Sequence, residues 1–79
     1  MTLLGVQHQK VLEVLHEATE ELDGLAIYER GEGDIELSSI LATLIDLVED
    51  KLVDSHYNRS FRLYSITQAG RKSLQSVAA

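Results

Sequence analysis

Apolar residues in the first third of the chain recur at helical spacing. Val11, Leu15, Ala18 and Leu22 fall three or four apart, and Leu12 and Val14 widen the stripe. Gln9, Lys10, Glu13, Glu17, Glu20 and Glu21 occupy the opposite face. This pattern predicts a helix over residues 6–22, closed by Asp23 and by Gly24 at a positive φ. Its polar face adds no support, because Glu13 with Glu17 and Glu17 with Glu21 are like charges four apart.

Residues 25–37 are less regular. Leu25, Ala26, Ile27 and Tyr28 predict a short helix that stops at Gly31. A turn at 32–34 and a brief extended link follow, with Ile35 and Leu37 packing on either side of Glu36. The alternative is a hairpin pairing residues 25–30 with 34–37 around a turn at 31–33.

The cleanest amphipathic helix covers residues 38–51. Ser38 or Ser39 can cap its N-terminus through a side-chain oxygen. Ile40, Leu41, Leu44, Ile45, Leu47, Val48 and Leu52 form a broad apolar face, and Ser39, Thr43, Asp46, Glu49 and Asp50 are expected outward. Lys51 in the last turn suits the helix dipole. Residues 53–57 and 61–66 are rich in β-branched and aromatic side chains and read as two strands turned at Asn58-Arg59-Ser60. Tyr57, Phe61 and Tyr64 are expected to pack the hairpin. Thr67 can cap a last helix over 68–77, with Ala69, Leu74 and Val77 inward. The order predicts an α+β winged helix-turn-helix in one domain, residues 1–79. It has three to four helices and a C-terminal two-stranded β-hairpin wing followed by a last helix.

Seventy-nine residues bury a modest core, near the lower end of what folds without staples. The chain has no Cys, so neither a disulfide nor a Cys-ligated zinc assists, which fits a reducing cytoplasm. No run of about 18 apolar residues is present to span a membrane, and the N-terminus does not read as a secretory signal. The net charge of −6 argues against nucleic acid until its distribution is considered. Residues 1–50 carry twelve acidic and two basic groups, a balance of −10, whereas residues 51–79 carry five basic groups against Asp54, a balance of +4. A basic end can dock on DNA although the whole chain is acidic.

LATLIDLVEDKLV at residues 41–53, a polar hairpin and RLYSITQAG at residues 62–70 together resemble the PadR-like winged-helix transcription regulators. Leu41, Leu44, Leu47, Leu52 and Val53 fall on that family's helix pattern, and Tyr64, Ile66, Thr67, Gly70, Arg71 and Leu74 on its second motif. The match covers residues 38–74, and its Thr-x-x-Gly tail is shared by MarR-like and other winged helices. Three departures stand out: Lys51 replaces a usual Gly, Leu41 replaces a usual Tyr, and no C-terminal dimerisation region follows. The resemblance implies a winged helix and, with it, sequence-specific binding of double-stranded DNA and repression.

The recognition helix of such a module enters the major groove by its N-terminal half. Ser38, Ser39, Ala42 and Thr43 are the candidate contacts there, through hydroxyls or through methyl groups that meet a thymine methyl. The wing offers His56, Asn58, Arg59 and Arg62 for phosphate or minor-groove contact. Arg71 and Lys72 open the last helix and can reach the DNA backbone, though a solvated face is the simpler expectation. A homodimer on a two-fold site is expected, with Leu3, Leu4 and Val77 available to its interface. The competing reading is a protein-contact module that uses the acidic surface, as an anti-repressor, adaptor or small viral inhibitor does. No catalytic triad, HExxH motif, phosphate-cradling loop or Cys nucleophile is present, so neither an enzyme nor a cofactor is expected. His8, Glu13 and Glu17 read as a solvated helical face, not a metal site.

Overall fold

In the computed structural model the described residues are 5–78, with side chains to residue 75. Four helices and three strands follow in the order α1 (Val6–Glu17), β1 (Leu22–Asp23), α2 (Gly24–Arg30), α3 (Ile40–Glu49), β2 (Val53–Asn58), β3 (Phe61–Ile66) and α4 (Gln68–Ala78). The fold class is the expected α+β winged helix, but the sheet has three antiparallel strands in the order β1-β3-β2, one more than the hairpin alone. Among the described residues no helix is long and apolar enough to cross a membrane.

α1 ends five residues before the end expected from its apolar stripe. The helix stops at Glu17, and Ala18 turns extended at φ −71°, ψ 138°. Continuing it would stack the like charges of Glu13, Glu17 and Glu21. In the observed path Glu20 instead meets Arg30 at 3.5 Å and Glu21 meets His56 at 2.9 Å. Leu22 is freed to pair with Tyr64 in the sheet, and both are buried. Asp23 does not end a helix but starts one: its Oδ1 accepts the Ala26 N–H at 2.8 Å as the N-cap of α2. Gly24 accordingly lies in α2 and does not take the expected positive φ.

Between residues 25 and 37 the short helix is found and the hairpin is not. The chain turns through Gly31, Glu32 (φ 51°) and Gly33 (φ 90°) before re-entering the core at Ile35, which is buried. Leu37 remains exposed, so only one of the two expected packing residues packs. The core gathers Val11, Leu12, Val14 and Leu15 of α1, Ile27 of α2, Ile40, Leu44 and Leu47 of α3, and Val53 and Tyr64 of the sheet. Burial at about 25 cal/mol per Å² of apolar surface is what holds these elements together.

α3 closes in a Schellman motif. The Leu52 N–H donates to the Leu47 carbonyl at 2.9 Å and the Lys51 N–H to the Val48 carbonyl at 3.0 Å, with Lys51 left-handed at φ 62°. The left-handed conformation at this position is one that glycine adopts without strain. A Cβ in this region costs about 1 kcal/mol, and glycine's larger unfolded-state entropy offsets only part of that. Lys51→Gly is therefore expected to raise the thermal midpoint by about 4 °C, followed by circular dichroism. An unchanged or lower midpoint would contradict this account of the turn.

The wing register pairs Asn58 with Phe61 and Tyr57 with Arg62, so the turn is the two residues Arg59 and Ser60, with Arg59 at φ 61°. Asn58 ends β2 instead of forming part of the turn. Tyr64 packs as expected, but Tyr57 and Phe61 stay exposed. Thr67 caps α4, accepting the Gly70 N–H at 3.0 Å, and its hydroxyl donates to the Lys51 carbonyl at 2.8 Å. Ala69 is exposed and Gly70 is the buried residue of that first turn. Leu74 packs against the core, while the side chain of Val77 and residues Leu3 and Leu4 lie outside the described set.

Candidate nucleic-acid interface

α3 carries its core residues at Ile40, Thr43, Leu44 and Leu47. The helical repeat then turns Leu41, Ala42, Ile45, Asp46, Glu49 and Asp50 outward, and all six are exposed. Ala42, Ile45 and Glu49 run along the middle of that face. Leu41 lies at one edge, close to Gly24 of α2, and Asp46 at the other, where its carboxylate meets His8 Nε2 at 3.1 Å. Leu41 and Ile45 are 63% and 51% exposed, which moves both off the apolar core face expected for them.

Thr43, expected outward, is buried. Its hydroxyl donates to the Ser39 carbonyl at 3.1 Å and accepts from Gln7 Nε2 at 3.0 Å. Gln7 Nε2 also donates to Ser39 Oγ at 2.9 Å, and Gln7 Oε1 accepts the Glu36 N–H at 3.0 Å. One α1 side chain thus ties down the whole entry to α3. The Ser39 hydroxyl serves this tie and makes no cap hydrogen bond, although Ser39 occupies the N-cap position. Gln7 sits in no motif. Its role is set by fold contacts 29 to 36 residues away in sequence, which no local pattern reveals. Ser38, in the turn before α3, and Ala42 are both exposed, as expected.

The wing presents a second group. Arg62 is held by its partner strand: Nη2 and Nε lie 3.0 and 3.3 Å from Ser55 Oγ. Its guanidinium carbon lies 5.5 Å from the Tyr57 ring centroid and 5.9 Å from that of Tyr64. The cation is thus pre-positioned on an aromatic and hydroxyl platform. Arg59 and Asn58 are exposed at the tip. Asp54, the one acidic residue of β2 and β3, lies four residues before Asn58 on β2, away from the turn. His56 is on the opposite face of the hairpin, paired with Glu21, and is drawn away from the tip group.

Arg71 and Lys72 are exposed on α4. Arg71 borders two shallow hollows, one between α1 and α4 with Glu13 and His16, the other beside β3 with Glu20 and Glu21 of the segment that follows α1. It keeps company with the acidic residues of α1 and of the segment between α1 and β1, not with the α3 entry. Among the described residues no group of three or more His, Cys, Asp or Glu side chains is placed to hold a metal ion.

No protein-family model and no curated protein sequence matches the chain. Solved structures do match. A MarR-family transcriptional regulator from Silicibacter pomeroyi superposes with a TM-score of 0.82 at 21% identity, covering 94% of this chain and 49% of that one. The present chain therefore spans about half its length. F93 from STIV, described as a winged-helix DNA-binding protein, superposes with a TM-score of 0.83 at 15% identity over 98% of this chain and 88% of its own. F-93 from SSV1 gives 0.73 at 17% identity, over 98% and 90%. Together with the helix order and the β2–β3 hairpin, these similarities establish the fold of the chain as a winged helix.

Proposed function

We propose that the chain is a small winged-helix DNA-binding transcription regulator, a repressor of the PadR-like kind, working as a homodimer in the cytoplasm. The observation that carries the reading is the wing. Arg59 projects at its tip and Arg62 is pre-positioned by Ser55 and Tyr57, away from acidic neighbours on the hairpin. Fixed guanidinium groups suit phosphate oxygens, and ordering them in advance lowers the entropy lost on binding. The left-handed Lys51 supports the PadR-like alignment, since it stands where those chains keep Gly. In this reading the entry to α3, at Ser38 and Ala42, meets the major groove, and Asn58, Arg59 and Arg62 flank it. Ser39 and Thr43 position the helix through Gln7. His56, Arg71 and Lys72 lie at the margin. Two copies on a two-fold site would double the phosphate contacts of so small a module.

A protein-contact reading has one observation in its favour. Leu41 and Ile45 are exposed beside Asp46, Glu49 and Asp50, a surface suited to a basic amphipathic segment. Titrating the ¹⁵N-labelled chain with a mixed-sequence DNA duplex separates the two. The DNA-binding reading expects amide shifts concentrated at residues 37–45 and 56–62. Unmoved spectra at low salt would reject it in favour of a protein partner.

A further inference from the structure

The outward face of α3 lacks the side chains that usually read base edges. Residues 38–50 contain no Arg, Lys, Asn, Gln or His. Bidentate recognition of guanine needs Arg or Lys, and that of adenine needs Asn or Gln. Of the hydroxyls in this segment, those of Ser39 and Thr43 are engaged by Gln7 at 2.9 and 3.0 Å and Ser38 precedes the helix, while the carboxylates of Asp46, Glu49 and Asp50, which could accept only from cytosine, lie in its C-terminal half. The exposed half that precedes the acidic turn therefore consists of Leu41, Ala42 and Ile45, all hydrocarbon. In a major groove one base feature is complementary to hydrocarbon, the 5-methyl group of thymine.

We infer that α3 selects its DNA site by packing Ala42 and Ile45, with Leu41 at the edge, against thymine methyl groups. The inference rests on the DNA-binding reading above and specifies its chemistry. The acidic side chains sharpen it. Asp46, Glu49 and Asp50 begin one turn after Ala42 and would meet the phosphates if the helix lay flat in the groove. An end-on approach brings the Ala42 methyl first and Ile45 behind it to the bases, keeps Glu49 and Asp50 farthest from the duplex, and leaves Asp46 at the edge of the face, where it meets His8 at 3.1 Å. Phosphate contacts then fall to Arg59 and Arg62 of the wing, which supply affinity and register but little sequence information.

The test uses the full chain and duplexes selected by it from a random-sequence pool. Thymines in the selected site are replaced one at a time by deoxyuridine, which removes the methyl and keeps every hydrogen-bonding group. At least two positions are expected to lose about fourfold in affinity each, the effect of withdrawing one buried methyl group. Ile45→Ala, an exposed position whose truncation leaves the core intact, is expected to bind thymine and deoxyuridine duplexes about equally at one of those positions. If the selected site is sequence-specific yet deoxyuridine binds as well as thymine throughout, the methyl inference is overturned and the DNA-binding reading survives. If no duplex is retained even at low salt, both are overturned.

Discussion

Replacing Gly70 by Ala is expected to destabilise the domain by about 3 kcal/mol, the upper end of what forced overpacking costs. The sign is informative, because Gly→Ala inside a helix ordinarily stabilises by about 1 kcal/mol. Here the added Cβ would press into the Leu52 carbonyl oxygen and stand 2.7 Å from Ile66 Cγ1. The obstacle is backbone, and that backbone is held on both sides. Leu52 N–H closes the Schellman turn of α3, and its carbonyl accepts the Thr67 N–H at 3.1 Å. Relief requires α4 to move off the end of α3 and to break the Thr67 hydroxyl bond to Lys51. Steric exclusion outweighs helix propensity. In a domain of this size about 3 kcal/mol lowers the thermal midpoint by roughly 12–24 °C. A melt within a few degrees of wild type would show that α4 is not seated on that carbonyl.

The second large effect is on DNA. Arg59→Ala with Arg62→Ala is expected to weaken duplex binding by about 100-fold at low salt, taking about 1.5 kcal/mol for each lost charge-assisted phosphate contact. Both side chains are exposed, so the melt should hardly change. Arg62 is expected to contribute the larger share. Its fork is already fixed by Ser55 and stacked near Tyr57, whereas Arg59 must be ordered on binding. Ser55→Ala should then reproduce a fraction of the Arg62 loss without removing any charge. Full affinity in the double variant would remove the wing from the interface.

Most of the C-terminal half is legible in the sequence because its signals are local. The 3.6-residue period of 40–49, the β-branched and aromatic runs on either side of Arg59-Ser60 and the Thr67 cap each act within a few residues. β1 is missed for the opposite reason. Two residues form the strand, and Leu22 falls four after Ala18, so a helical stripe absorbs it. Asp23 carries the correct signal, a capping side chain, but it starts α2 instead of ending α1.

The candidate site is less legible than the fold. Apolar Leu41 and Ile45 look like core from the sequence, and polar Thr43 looks like surface. The structure exchanges them because Gln7 supplies partners for a buried hydroxyl. Periodicity reports a face by polarity and is misled where a buried polar group is satisfied from a distant element. The charge division, by contrast, is visible at once. The acidic N-terminal half ties Lys10 to Asp34 and Arg30 to Glu20, so the two basic groups of residues 1–50 are both paired. The wing arginines make no ion pair among the described residues, Arg62 being held by neutral groups.

In the reading proposed for it, this acidic chain binds duplex DNA through a small basic wing. Fluorescence anisotropy of a labelled duplex across a salt series tests it most directly. Binding should weaken as salt rises, with a log–log slope reduced by about 2 in the Arg59→Ala, Arg62→Ala variant, since each lost phosphate contact removes about 0.9. A wild-type chain that leaves the anisotropy unchanged at low salt, or binds with a slope the wing variant does not alter, would contradict it.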